Sequence, residues 1–155
     1  MANRDLDLVF KDTTHDTLPC RGLVVRAFTA AKPWLHIPRG HTAELGVQIV
    51  GPTRIRTLNR TYRRKDVATD VLSFPLHMRP IQGYTAVSLG DLVICPQRVR
   101  AKAAQEGRPV RDQMKWTIVH GLLHLAGYDH EKSAPAARRM FALEQRILKK
   151  LIPAT

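Results

Sequence analysis

Residues 114–130, Met-Lys-Trp-Thr-Ile-Val-His-Gly-Leu-Leu-His-Leu-Ala-Gly-Tyr-Asp-His, constrain this chain more tightly than any other stretch. Met114, Trp116, Ile118, Val119, Leu122 and Leu123 put apolar side chains all round one segment, the pattern of a central buried helix ending near Ala126. His120 and His124 are four residues apart, so on a helix they share a face and can aim two imidazoles at one point. Gly127 allows a left-handed backbone step that ends the helix and turns the chain back. That turn can bring His130 round as a third ligand, leaving a fourth tetrahedral position for water. Three nitrogen ligands with one open position describe a catalytic zinc site, one ion per chain, rather than a structural one. The plainer alternative is an apolar helix carrying two hydrogen-bonded histidines. Buried imidazoles need partners, and a metal supplies one.

The spacing is similar to the metzincin pattern H-x-x-x-H-x-x-G-x-x-H, with Gly121 where those proteases carry a glutamate. That glutamate is the peptidases' general base. The expected metal cage is kept and the peptidase base is missing.

Charge is the second constraint. With 25 Lys+Arg against 13 Asp+Glu the chain carries +12, which suits a polyanionic partner, nucleic acid first among them. The excess does not distinguish DNA from RNA. No apolar run approaches the ~20 residues of a membrane span, and the start, Met-Ala-Asn-Arg-Asp-Leu-Asp, lacks an apolar signal core. A cytoplasmic protein with no membrane partner is therefore expected. Cys20 and Cys95 are too few and too isolated for a disulfide framework or a zinc knuckle. A length of 155 residues fits one domain, residues 1–155.

The periodicities predict nine elements in the order β-α-β-α-β-β-α-α-α. Strands are expected at 5–10, 44–50, 70–74 and 89–95. The last is apolar enough to be covered on both faces. Helices are expected at 19–31 with Thr17 as cap, 52–60, 96–106, from Asp112 to Ala126, and from Ser133 to about Leu151. Tyr62-Arg63-Arg64-Lys65-Asp66 reads as a basic loop, and 76–88 as a loop without periodicity. Together these give an α+β fold, one compact domain with a small mixed four-stranded sheet, helices on its faces and a metzincin-like zinc helix.

Three strings carry a resemblance: Leu58-Asn59-x-x-Tyr62-Arg63-x-x-Asp66, Thr69-Asp70-Val71-Leu72-Ser73-Phe74-Pro75, and the histidine string with Tyr128-Asp129 before His130. With Leu89-Gly90-Asp91 they resemble the bacterial YbeY family of zinc-dependent endoribonucleases, from about residue 44 to the last helix. The resemblance implies a cytoplasmic single-strand-specific RNase that acts in 3′-end maturation of small-subunit rRNA and in ribosome quality control. Its implied partners are single-stranded rRNA and the small ribosomal subunit, with assistance from ribosomal proteins or a ribosome-associated GTPase left open. A monomer is expected. The resemblance carries the zinc ligands over to His120, His124 and His130, and a functional arginine to Arg63. Ala68 departs from the family, which usually has proline before Thr-Asp; its loss is expected to loosen that loop slightly.

Arg63 is the candidate for offsetting charge on a phosphorane-like transition state, through its planar fork of donors. Asp129 has two readings, orienting a ligand imidazole or capping the turn after Gly127. Asp70 and Asp91 read as turn formers before bases, and Ser73 as a satisfied hydroxyl. Tyr62, Phe74 and Tyr128 can stack on bases but pack by default. No residue is identified as the general base. The alternatives to a nuclease are a ribosome assembly factor whose zinc holds the fold, and a zinc peptidase, which Gly121 and the basic charge oppose.

Overall fold

Strict alternation along Thr42–Ile49 buries Ala43, Leu45, Val47 and Ile49 and leaves Glu44 and Gln48 in solvent, so this strand packs on one face only. In the computed structural model, which describes residues 4–76 and 80–151, it is β2. It pairs in parallel with β1 (Leu6–Asp12) on one side and β4 (Ala86–Ile94) on the other. β3 (Val71–Pro75) joins β4 antiparallel, giving a four-stranded mixed sheet in the order β1-β2-β4-β3.

Parallel neighbours require crossovers. Between β1 and β2 the crossover is α1 (Cys20–Ala31) with a short 3-10 turn, Lys32–Trp34. Between β2 and β4 it contains α2 (Pro52–Arg63) and β3. Three helices follow: α3 (Pro96–Glu106), α4 (Val110–Leu125) and α5 (Ala134–Lys150). The result is the expected single α+β domain, with five α-helices among the described residues.

α4 sits at the centre, packed on β3, β4, α1, α3 and α5. Thr117, Ile118, Val119, Gly121, Leu122, Leu123 and Leu125 are all buried, as the apolar pattern around the helix predicts. Gly121 is what lets the helix approach the sheet. A Cβ there would lie 2.9 Å from Leu92 Cδ2 and 3.4 Å from Val71 Cγ2. A side chain at this position would have to displace Leu92 and Val71, and a glutamate would start its charged chain in that apolar helix–sheet seam, which disfavours the protease base there.

Coverage of β4 on both faces holds only at its end. Leu92 and Ile94 join the main core, while Val93 and Cys95 form a second, smaller cluster with Val50, Ile55 and Leu72 beneath α2. Upstream, Asp91 is exposed, because among the described residues no helix covers the outer face where β1 and β2 lie.

Several boundaries differ from expectation. α1 has Pro19 at its cap position with no side-chain hydrogen bond, so Thr17 does not cap it. Asp16 closes a local turn just before the helix, its Oδ1 accepting from the Leu18 N–H at 2.9 Å. Pro109 precedes α4 and Asp112 lies in its first turn. Ser133 does cap α5, accepting from Ala136 N–H at 3.1 Å. β4 starts at Ala86 rather than 89 because Ala86, Val87 and Ser88 find partners in Thr42, Ala43 and Glu44. Residues 77–79 of the expected loop lie outside the described residues. No helix among the described residues is long and apolar enough to cross a membrane.

Candidate metal centre

Four residues along α4 put His120 and His124 on one face, and the turn at Gly127 (φ 99°) returns the chain so that His130 faces them. One nitrogen from each imidazole lies within 4.8 Å of the others. His120 Nε2 and His124 Nε2 are 3.1 Å apart. Two ligand nitrogens about 2.0–2.1 Å from one tetrahedral ion would be separated by roughly 3.3 Å, so this pair already has nearly the spacing that a shared cation demands.

Protonation states agree with that use. His124 is pushed down from 6.5 to about 4, first by burial, then by the neighbouring imidazoles of His120 and His130, with Asp129 opposing and the Arg63 guanidinium adding to the depression. A neutral imidazole offers a lone pair; an imidazolium does not. The donor set therefore fits a divalent transition metal.

Glu144 is the site residue that sequence reasoning missed. It lies on α5, 4% exposed, with its Oε1 2.5 Å from His120 Nδ1. A carboxylate can only accept there, so Nδ1 carries the proton and Nε2 is left free for the ion. The available signal was an acid on an otherwise apolar stripe, Met140, Glu144 and Ile147. Pattern alone could not say which imidazole it meets. Trp116 stacks on the same ring at 4.7 Å between centroids, and Lys102 covers Trp116 at 4.4 Å. His120 is thus held from two directions. Glu144→Gln keeps the shape but weakens acceptance from Nδ1. Metal affinity in a competing-chelator titration is expected to fall about 10–100-fold, and unchanged affinity would deny Glu144 its orienting role.

Asp129 proves to be a turn cap, its Oδ1 accepting from Glu131 N–H at 2.9 Å. Asp70 accepts from Val71 N–H at 3.0 Å and from Thr117 Oγ1 at 3.4 Å, with Lys102 3.8 Å away. Asp91 lies within β4, its carboxylate directly over Gly46. Ser73 is a satisfied hydroxyl, donating to Gly121 C=O at 3.2 Å. Tyr128 donates to Trp34 C=O at 3.2 Å and packs.

Arg63 is not in a loop but is the last residue of α2, and Arg64 takes the left-handed conformation (φ 58°) that ends the helix. The helix extends past the expected residue 60 because Arg64 N–H still bonds to Arg60 C=O and Lys65 N–H to Asn59 C=O. Buried Asn59 also donates to Val67 C=O at 2.9 Å, and Ala68 packs on the second cluster. These contacts tie the loop at Val67 and Ala68 to α2 and the second cluster. Arg63 and Lys65 then line a cavity of about 980 Å³ together with His120, His124, His130 and Lys102. Arg56 and Arg60, by contrast, turn to Asp66, at 2.9 and 3.8 Å.

Comparison with known proteins identifies the family and the fold. A family profile described as Endoribonuclease YbeY matches residues 10–152. A protein of that name from Halorhodospira halophila is 48% identical over 110 residues, 70% of this chain and 71% of that protein. One from Alkalilimnicola ehrlichii is 46% identical over 111 residues, 70% of this chain and 66% of its own length. One from Aquifex aeolicus is 42% identical over 114 residues, 74% of each chain. A solution structure from Thermotoga maritima shares the fold with a TM-score of 0.64 at 23% identity, over 94% of this chain and 89% of that one. By the profile match over residues 10–152 and relatives up to 48% identical, the chain belongs to the endoribonuclease YbeY family.

Proposed function

We propose that this chain is a zinc-dependent endoribonuclease that cleaves single-stranded RNA, with His120, His124 and His130 holding one zinc ion and Arg63 as its catalytic residue. The observation that carries this reading is the shared cavity, which puts a three-imidazole cluster beside the guanidinium of Arg63 in a chain of charge +12. Zinc, when bound, supplies a Lewis acid for a phosphoryl oxygen and lowers the pKa of its water towards ~7. Glu144 and Trp116 keep the His120 ring in place, and burial keeps His124 neutral. Arg63 meets the charge that develops on the phosphoryl oxygens. Lys65, Lys102 and Lys132, on the cavity wall, hold flanking phosphates.

The family supports a role in rRNA processing. The proposed substrate is small-subunit rRNA near its 3′ end, met on the small ribosomal subunit in the cytoplasm by a monomer whose residues 1–155 act as one domain, and the same cleavage serves ribosome quality control. Cleavage of single-stranded RNA by nuclease-free protein, with a casein digest beside it, tests the activity. RNA cut and casein intact is the expected result; no RNA cleavage leaves a zinc-stabilised assembly factor, and casein cleavage leaves a peptidase. Affinity is expected to fall with salt through counterion release. Replacing Lys65 and Lys132 with glutamine is expected to shallow the slope of log K against log salt by about 0.7 for each phosphate no longer neutralised, and an unchanged slope would put the RNA on another face.

A further inference from the structure

Two aromatic rings stand in the lining of the metal cavity and remain mostly exposed. Tyr62 is 66% exposed and Phe141 61% exposed, whereas Phe28 in the core is fully buried. Both rings line the same cavity as the histidine cluster, Tyr62 from α2 and Phe141 from α5. Tyr62 is met edge-on by Phe74 on β3, with centroids 5.3 Å apart and ring planes at 75°. Its neighbours in the chain, Arg63 and Lys65, bring positive charge to that side of the cavity. Phe141 projects from α5 beside Met140, which is buried, so the helix is anchored by one residue and shows the next to the cavity. Lys132, from the turn before α5, lines the cavity on that side.

An exposed ring beside cations has a specific use when the ligand is an unpaired nucleotide. Every base offers a π face, so an aromatic side chain binds it with little regard to sequence, while the cations track the phosphates. In a duplex those faces are already covered by neighbouring bases, so the same rings discriminate against paired RNA. The α2–β3 side and the α5 side bring one ring each to a cavity that also holds the histidines.

We propose that Tyr62 and Phe141 are base-stacking residues, each taking one nucleobase of a single-stranded RNA whose scissile phosphate lies at the histidine cluster between them. The proposal rests on the endoribonuclease reading and adds to it the physical source of single-strand selectivity.

The test uses zinc-loaded protein in excess over a short single-stranded RNA carrying 2-aminopurine at each position in turn. Fluorescence is read in the binding phase, before cleavage, because stacking on an aromatic ring quenches this base. Quenching is expected at positions on both sides of the cleavage site. Phe141→Ala and Tyr62→Ala should each abolish it on one side and weaken single-strand binding about tenfold, the scale of one base–aromatic stack, with much less effect on duplex binding. Phe141→Trp should keep the quench and Phe141→Leu should lose it, which separates stacking from simple apolar contact. If RNA is bound and cut without quenching at either side, or if both alanine variants bind single strands as wild type does, the stacking assignment falls and the nuclease reading stands. Quenched binding without cleavage removes the nuclease reading and leaves the stacking sites. A protein that neither binds nor cuts RNA removes both.

Discussion

Arg63→Ala is expected to slow cleavage of single-stranded RNA by about a hundredfold or more under single-turnover conditions, the loss that follows removal of one preorganised donor to a developing charge. The guanidinium is placed for this by local structure. α2 ends at Arg63, the left-handed Arg64 turns the chain, and the side chain lines the histidine cavity close enough to depress His124. Arg63 is exposed at the helix end, so thermal stability and metal content should hardly change. Lysine should restore only part of the rate, because a point charge cannot reproduce a two-pronged contact. Saturating enzyme removes weakened binding as a cause. Cleavage at the wild-type rate under those conditions would take the role from Arg63 and direct attention to Lys65, the other cation of this segment on the cavity wall.

The triple change His120→Ala, His124→Ala, His130→Ala should take bound zinc from about one equivalent per chain to none, and RNA cleavage to background with it. Equal metal content in variant and wild type would end the zinc hypothesis. Acid should act in the same direction, since protons compete for the same nitrogens and the metal is lost as pH falls. In metal-free protein the sign also follows from His124. Its imidazole stays neutral in the fold down to about 4, while in the unfolded chain it takes up a proton near 6.5. The unfolded state therefore binds more protons between those values, and stability that is complete above about 6.5 drains away as pH falls towards 4. Denaturant titrations at pH 7 and pH 5 should show the loss in wild type and less of it in His124→Ala. An identical pH response in the two would assign it to other groups.

What could be read from the sequence was whatever a short window contains. Period and spacing placed α3 at 96–106, put His120 and His124 on one face of a buried helix, and marked Gly127 as its end. The Ser133 cap and the element order came from the same local signals. Where the expectations failed, the deciding partner was distant along the chain. Residues 86–88 are strand because Thr42, Ala43 and Glu44 lie beside them, and no period over three residues announces that. Thr17 and Asp112 have capping chemistry, but the backbone path at Pro19 and Pro109 left them no helix end to cap. Glu144 is 24 residues from His120, and only the packing of α5 on α4 makes an acid on an apolar stripe into the partner of a ligand imidazole. Gly121 shows the division most plainly. The sequence by itself showed that the protease glutamate is missing; the tertiary structure supplied a physical reason, by pressing that face of α4 so close to Leu92 and Val71 that any side chain must displace them, and a buried charge would be costly besides.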